Sequence, residues 1–305
     1  MSSVAYVACD AAVALHRTCR EQASRGNLVL ATSIIASSLA FIDGSVATVA
    51  LPAIGRALNG DAATLQWIVN IYLLPLTAFL LAGGDLGDRF GSGRVLAWGV
   101  GLFTIASIAC AVAPNLGVLL ASRAAQGVAA AIFLPNSLAV LGAAFPEESR
   151  ARAVGIWAGT TALAGAFGPV LGGALVDRVG WRSIFLLNLP FGILALVMAL
   201  RYAPPRIEAP ERAIDLAGMA IAVLALGALS WAVTEASGPM GWTDRAMMSA
   251  FAGALLLPMF VRLEKRRGER AMLPMSLFRS RAFSGLSVFT VLLYGVWSGL
   301  AVLLP

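Results

Sequence analysis

The sequence predicts an all-α membrane protein. Of its 305 residues, 59% are hydrophobic and 12% are charged, and the apolar residues are gathered into repeated runs of roughly 20. At about 1.5 Å per residue, a helix of that length crosses the ~30 Å hydrocarbon core of a bilayer. The runs lack the two-residue alternation of a membrane-barrel strand, so we predict that the spans are helices.

Charged residues, glycines and prolines delimit nine predicted spans. The first five are 28–51, which follows Arg25; 66–83, which ends in a glycine pair; 95–113, between Arg94 and Pro114; 117–144, which precedes Pro146; and 153–176, between Arg152 and Asp177. The last four are 184–200, between Arg182 and Arg201; 214–235, which ends at Glu235; 246–261, between Arg245 and Arg262; and 283–304, which follows Arg281.

The basic residues predict the direction of the spans. With the amino terminus in the cytoplasm, most of the 22 basic residues fall on the cytoplasmic side, as the positive-inside rule requires. Those on the outer side are Arg56, Arg178, Arg182 and Arg245, and Arg123 lies within a span. We therefore predict a multi-pass protein of the cell inner (plasma) membrane with a cytoplasmic N-terminus. Topology accounts for the net charge of +6, so no nucleic-acid partner is expected.

The composition also argues against several kinds of chemistry. His16 is the only histidine, and the three cysteines lack metal-ligand spacing. No G-x-x-x-x-G-K-[ST] phosphate loop occurs, which disfavours ATP-driven pumping. Residues 82–85 come near the G-x-G-D pattern of intramembrane proteases, but the first glycine is replaced by alanine and no second catalytic acid is evident. We expect no enzyme, no metal and no organic cofactor.

A motif repeated in the chain predicts internal symmetry. Residues 84–91, GDLGDRFG, and residues 173–180, GALVDRVG, share the pattern G-x-L-x-D-R-x-G at an offset of 89 residues. The first copy joins spans two and three and the second joins spans five and six, so the repeat unit is three helices. An odd number of spans inverts the second copy, which is the construction of secondary transporters. The alternative is that both copies are simply tight interhelical turns.

Five motifs in order resemble the major facilitator superfamily, and within it the 14-span drug:proton antiporters. Residues 84–94 resemble its signature loop, and residues 41–52, FIDGSVATVALP, resemble the first-span signature of the 14-span group. Residues 123–127, RAAQG, resemble the fourth-span motif, and residues 168–173, GPVLGG, the fifth-span antiporter motif. Residues 180–190, GWRSIFLLNLP, resemble the start of span six in the same group.

The resemblance implies a major facilitator fold and a division of the chain. The N-terminal six-helix bundle is expected to consist of two inverted three-helix repeats, followed by three further transmembrane helices. The expected units are a cytoplasmic segment at 1–27, the six-helix bundle at 28–202, a linker with an inserted helix pair at 203–261, a basic cytoplasmic loop at 262–282, and the first helix of an incomplete C-terminal bundle at 283–305. About five spans of a 14-span protein are then expected to be missing.

Asp43 and Arg123 are the candidates for proton coupling. An ionisable residue inside an apolar span is costly, so a function is its default interpretation. At about 1.5 Å per helical residue, Asp43 lies about 22 Å from the inner end of span one and Arg123 about 9 Å from the outer end of span four. In a hydrocarbon core about 30 Å thick, these two positions lie at nearly the same depth. We therefore expect the side chains of Asp43 and Arg123 to face one cavity. Gln126 and Gly127 continue the motif that begins at Arg123. The alternative is a structural ion pair that fixes helix packing.

Span five carries a candidate pivot. Gly168, Gly172 and Gly173 leave an almost bare helix surface, and Pro169 removes one backbone hydrogen bond and bends the helix. Small residues let a neighbouring helix approach closely. The functional interpretation is a pivot and seal at a helix crossing, and the alternative is a packing seam without a gating role.

The signature loop is the second candidate for gating. Gly84 and Gly91 permit a tight reversal, while Asp88 and Arg89 are expected to meet a helix end or partner charges as a conformational latch. Residues 92–93, Ser-Gly, stand where the family's loop usually carries basic residues, which lightens the charge of the latch.

The resemblance implies a proton-coupled secondary active transporter that exports lipophilic drugs or other small molecules across the cytoplasmic membrane. Its expected partners are the lipid bilayer and small lipophilic or cationic substrates, with the proton as coupling ion. One alternative is a truncated, transport-inactive fragment, or a half-transporter that needs a missing C-terminal half. Another is a metabolite carrier of the same fold.

Overall fold

The computed structural model describes residues 3–203, 216–236, 241–268 and 279–303 of the chain. Regular secondary structure within these ranges is helical, and no strand occurs in them. The greater part of the predicted linker, residues 204–215, and the centre of the predicted basic loop, residues 269–278, lie outside the described residues. The fold class is all-α, as the sequence predicts.

Ten helices make up the described part of the chain. In order they are α1 (Ser3–Leu58), α2 (Ala62–Phe90), α3 (Ser92–Ala111), α4 (Leu116–Ala144), α5 (Glu147–Arg178), α6 (Ser183–Leu186), α7 (Asn188–Tyr202), α8 (Leu216–Ala236), α9 (Asp244–Arg267) and α10 (Arg281–Leu303). Within the described ranges, 7 helical segments are long and apolar enough to cross a membrane, and α6 with α7 forms one of them. The chain is a multi-pass membrane protein.

Several helices extend beyond the predicted spans. α1 begins at Ser3 rather than near residue 28, because no proline or glycine precedes Gly26, and only Gly26–Leu58 is apolar enough to span. α2 continues past the predicted end at 83 to Phe90, so Gly84 lies within a helix and Gly91 forms the turn. The predicted span 184–200 corresponds to α6 and α7, which join through Leu187 in helical conformation, and Asn188 is the first residue of α7.

Side-chain caps fix the start of three helices. Asp61, Asn115 and Thr243 precede α2, α4 and α9, and each accepts a hydrogen bond from the backbone N–H three residues later. These contacts satisfy N–H groups that have no partner within the helix. The bonds from Thr64 also favour the charged carboxylate of Asp61 and lower its pKa.

The first six spans pack with a two-fold pattern. α2 lies along α4 and α1 lies along α5, and both pairings are among the three most extensive in the bundle. If spans one, two and three are exchanged for spans four, five and six, the α2–α4 pairing becomes the α5–α1 pairing. The same exchange turns the α3–α4 pairing into that of α7 with α1. The six-helix bundle is thus built from two related three-helix units.

Glycines at matching positions of the two repeats allow the helices to approach. Gly83 precedes the first motif copy, and a Cβ there would meet the backbone oxygen of Ala131 on α4. Gly172 precedes the second copy, and a Cβ there would lie 2.8 Å from Val46 on α1. The last glycine of each copy, Gly91 or Gly180, has a positive φ of 92° or 103°, which favours glycine at both turns.

Two apolar clusters lie toward opposite ends of the bundle. Between them is a layer of buried polar side chains that includes Asp43 and Arg123. One cluster contains Phe103 and Phe133, whose rings meet edge to face with centroids 5.5 Å apart. The other contains Trp181 and Phe185, in a similar edge-to-face contact at 6.3 Å. Asp43 falls on α1 between residues of the first cluster and residues of the second.

The pair α8–α9 packs on the six-helix bundle through α2. Gly253 of α9 lies against Leu229 of α8, and Thr77 of α2 donates to Ser230 of α8 at 3.5 Å. At the centre of the α2–α8 contact, a Cβ built on Gly227 would lie 3.8 Å from the Cβ of Ala78. Small side chains therefore set this contact.

The α2–α8 contact predicts a disulfide. The Ala78→Cys, Gly227→Cys double variant should cross-link on mild oxidation, because a Cβ separation of 3.8 Å matches the mean of about 3.8 Å in natural disulfides. Mass spectrometry of the linked peptides measures the yield. The control pairs Ala78→Cys with Val233→Cys, since Val233 is 60% exposed. A higher yield in the control pair would contradict this packing.

Candidate functional site

Four helices bring six polar side chains into the layer between the clusters. Asp43 comes from α1, and Asn188 from the start of α7. Ser107 and Cys110 on α3, like Arg123 and Gln126 on α4, are three residues apart and so share one helix face. All six are buried, and Asp43 is 4% exposed, Arg123 0% and Asn188 2%.

Asp43 and Arg123 form a buried ion pair, so the structure brings the two proton-coupling candidates together. The bond joins Arg123 Nη1 to Asp43 Oδ2. Arg123 Nε donates to the carbonyl of Ile68 at 3.2 Å, and the guanidinium lies 4.4 Å from the ring centroid of Tyr72. Arg123 Nη2 is buried without a hydrogen-bond partner among the described residues. The arginine is thus held by a carboxylate, a backbone carbonyl and an aromatic face.

The second oxygen of Asp43 accepts from two side-chain amides. Asn188 Nδ2 donates to Asp43 Oδ1 at 2.7 Å, and Gln126 Nε2 donates to it at 3.3 Å. The same two nitrogens donate to Ser107 Oγ, at 3.3 Å and 2.8 Å. The carboxylate therefore accepts hydrogen bonds on both of its oxygens.

Gln126 connects the ion pair to α3. Its Oε1 accepts from Arg123 Nη1 at 2.9 Å and from Cys110 Sγ at 3.2 Å, while its nitrogen serves Asp43 and Ser107. All four hydrogen-bonding positions of the amide are used. The sequence assigns Gln126 to a gating motif, and the structure places it in contact with both proton-coupling candidates.

Three residues of this layer were not singled out from the sequence. Asn188 lies inside the motif at the start of span six without a predicted role, and Ser107 and Cys110 are ordinary small residues of span three. The available signal was a polar residue placed three positions before a cysteine in an otherwise apolar run. Such a signal is weak, because single serines are common in membrane helices.

The candidate gating glycines take different positions. A Cβ on Gly127 would meet the backbone oxygen of Tyr72 on α2, while Gly84 has open space around it. A Cβ on Gly168 would meet the Ser45 hydroxyl of α1, and the nearest atom to one on Gly173 would be Val49 Cγ1 at 3.9 Å. Gly127, Gly168 and Gly172 are therefore at close helix crossings, and Gly84 and Gly173 are not.

The remaining gating candidates lie at the surface. Pro169 is exposed on α5, which continues through it to Arg178. Asp88 and Arg89 are exposed, and neither forms an ion pair with another described residue. The Arg89 guanidinium instead lies 5.3 Å from the ring centroid of Phe90. Whether the loop acts as a latch stays a prediction.

The described residues offer no metal site. Among them, no group of three or more His, Cys, Asp or Glu side chains is placed to hold a metal ion. The polar layer combines one carboxylate and one guanidinium with amide, hydroxyl and thiol groups.

The family model described as Major Facilitator Superfamily matches residues 33–305. That segment is nearly the whole chain. The chain belongs to the major facilitator superfamily. Its membership places the chain among membrane transport proteins rather than enzymes.

Two curated proteins are similar to the chain over most of its length. The multidrug resistance protein Stp of Mycobacterium tuberculosis is 41% identical over 254 residues, which are 82% of this chain and 47% of that protein. The methylenomycin A resistance protein of Streptomyces coelicolor is 38% identical over 258 residues, 84% of this chain and 53% of that protein. The chain spans about half the length of these relatives.

A solved structure of the superfamily supports the fold. The crystal structure of the peptide transporter POT in complex with sulfate has a TM-score of 0.59 and 19% sequence identity, and the match covers 78% of this chain and 52% of that one. At this identity the likeness concerns the fold alone. The observed architecture is the major facilitator fold.

The two glycine environments predict opposite effects of one added methyl group. Gly127→Ala should lower the free energy of unfolding by about 1–3 kcal/mol, because the Cβ would overlap the backbone of Tyr72. Gly84→Ala should leave it unchanged or raise it by up to about 1 kcal/mol, since the site is open and alanine favours the helix. Denaturant unfolding of the detergent-solubilised chain measures both, and equal losses would contradict the assignment.

Proposed function

We propose that the chain acts in a proton-coupled multidrug efflux antiporter of the 14-span type, in the inner (plasma) membrane with its N-terminus in the cytoplasm. The observation that carries the proposal is the buried pair of Asp43 and Arg123, surrounded by amide donors at the junction of the two three-helix repeats. Ionisable residues within membrane helices are rare, and they typically mark ion and proton pathways.

Asp43 is the proposed proton carrier. A proton on Asp43 removes the negative charge that holds Arg123, which leaves a buried guanidinium without its counter-charge. Loss of one partner of a buried ion pair costs about 3–5 kcal/mol. Reversing a two-state equilibrium from 1:99 to 99:1 takes about 5.5 kcal/mol. One protonation would therefore shift the equilibrium between two arrangements strongly, by somewhat less than such a full reversal.

The position of the pair supports a link to conformational change. α1 and α4 occupy equivalent positions in the two repeats, so the ion pair joins the repeats to each other. The α1–α5 crossing at Gly168 and Gly172 lies next to Asp43, against Ser45 and Val46. A change in charge at Asp43 would act directly on this crossing, which we propose as the pivot.

The relatives support export of small molecules as the activity. Those reported above are named as a multidrug resistance protein and an antibiotic resistance protein, and another, from Streptomyces glaucescens, as a tetracenomycin C resistance and export protein. By analogy we propose lipophilic or cationic compounds as substrates, a proton as the coupling ion and no other cofactor. A metabolite carrier of the same fold is the alternative, and a panel of dyes and metabolites separates the two.

We also propose that transport requires a second six-helix bundle. Alternating access in this fold uses two halves that move about a site at the membrane midplane. The described residues supply one six-helix bundle, a helix pair and α10, and the chain spans about half the length of its relatives. The second bundle could come from the same polypeptide or from another chain.

Substitution of Asp43 tests the proton role. Asp43→Asn should reduce proton-driven dye efflux at least tenfold, because an amide cannot carry the proton. Efflux is measured in everted vesicles energised by a pH gradient. The vesicles contain either the chain alone or a chimaera in which the chain replaces the matching segment of the methylenomycin A resistance protein.

The matched control is Asp244→Asn, which removes an exposed carboxylate at the start of α9. This variant should export dye at the wild-type rate. If Asp43→Asn exports dye at the wild-type rate in whichever of the two vesicle preparations is active, Asp43 is excluded as the proton carrier. Efflux by the chain alone would exclude the need for a second bundle.

A further inference from the structure

Asn188 makes a contact that the ion pair does not require. Arg123 already neutralises Asp43, yet the 2.7 Å bond from Asn188 Nδ2 is the shorter of the two amide bonds to Asp43 Oδ1. It is also the contact that ties Asp43 to the helix of span six, since α7 begins at Asn188. Burial at 2% exposure makes an idle amide at this position costly.

Ser107 determines which way the Asn188 amide faces. The Ser107 hydroxyl donates its hydrogen to the carbonyl of Phe103 at 2.8 Å, so its oxygen can only accept from other groups. An amide beside it must therefore present its NH2 group, and Asn188 Nδ2 lies 3.3 Å from that oxygen. The second hydrogen of the same nitrogen then points to Asp43 Oδ1. The Phe103 carbonyl thus orients Asn188 through Ser107.

We propose that Asn188 is a positioning residue that holds Asp43 in its charged, acceptor-only form, with the amide orientation imposed by Ser107. The inference rests on the proposed function, in which Asp43 carries the coupling proton. It adds a residue on α7 to that site and gives Ser107 a defined part in it.

Asn188 is also the neighbour suited to respond when Asp43 is protonated. The proton comes from water and forms one O–H bond on the carboxyl group, and that hydrogen then needs an acceptor. Arg123 has no acceptor atom, and Gln126 Oε1 already accepts from Arg123 and Cys110. The contacts of Asn188 in the described residues all run through its nitrogen, so rotation of the amide would offer its oxygen to Asp43. That rotation breaks the bond to Ser107 and changes the packing of α7 on α3.

The other groups that face Asp43 do not replace this role. Among the described residues, the charged or titratable neighbours are Arg123 from α4, Tyr72 from α2 and Cys110 from α3. Tyr72 OH lies 3.4 Å from the carbonyl of Ala40, to which it donates, and Cys110 donates to Gln126. Neither donates to the carboxylate.

Infrared titration of the purified chain in lipid nanodiscs tests the proposal without any transport assay. The C=O stretching band of protonated Asp43 is followed against pH and is assigned by its loss in Asp43→Asn. Asn188→Leu should shift the midpoint of this band upward by about one pH unit, a tenfold gain in proton affinity. The sign follows because the variant removes a donor to the charged form.

Two further variants complete the test. Ser107→Ala should shift the midpoint in the same direction by less, because the amide loses its orienting acceptor but keeps its donor. Asn136→Leu is the matched control, since Asn136 is a buried amide of α4 that donates to Gly83 and Ile132 and not to Asp43. Its midpoint should equal that of the wild type.

An unmoved midpoint in Asn188→Leu overturns the inference and leaves Asp43 as the proton carrier. If Asn188→Leu does not fold, an unmoved midpoint in Ser107→Ala overturns it instead. An equal shift in Asn136→Leu also overturns it, because any buried amide would then have the same effect. Absence of the band in the wild type at every pH removes the proposed proton carrier, and the inference with it.

Discussion

The burial of one carboxylate and one guanidinium is the constraint on which the rest of the bundle depends. Neither charge is stable alone in a low-dielectric interior, so each dictates what must surround the other. The pair needs α1 and α4 side by side at the depth of Asp43 and Arg123. The remaining donors and acceptors need α3 and α7 at the same depth, since Ser107 and Asn188 complete the layer. Four helices are thereby fixed in register by one ion pair.

Close helix approach makes that register attainable. Gly83 and Gly127 allow close approach at the α2–α4 crossing, and Gly172 allows it at the α1–α5 crossing. Two of these, Gly83 and Gly172, occupy the same position in the two repeats. Apolar clusters lie on either side of the layer, and burial at low local dielectric strengthens each hydrogen bond within it. Packing and polar contacts therefore depend on each other.

The sequence predicts the apolar spans and the Asp43–Arg123 pair, but it does not predict the neutral polar residues around that pair. The spans follow from runs of apolar residues, and the meeting of Asp43 with Arg123 follows from their depths, because ionisable residues are rare in such runs. Asn188 and Ser107 could not be found this way, since neutral polar residues are tolerated in membrane helices without a partner being implied.

The motif glycines show a different limit of prediction. The repeated pattern drew attention to Gly84 as its first residue, but helical periodicity turns Gly83 and Gly87 toward α4 and leaves Gly84 in open space. The repeated motif identifies the segment, whereas the face that packs depends on the rotation of the helix about its axis, which only the folded structure defines.

The position of the polar layer between the two apolar clusters also matters for the proton gradient across the membrane. A bacterial membrane stores energy as a proton gradient, and a carboxylate open to water on both faces would short-circuit it. Aromatic contacts lie on each side of Asp43, between Phe103 and Phe133 toward one end and between Trp181 and Phe185 toward the other. Each cluster separates the proposed proton site at Asp43 from one end of the bundle. A proton leak through that site would require both clusters to part at once.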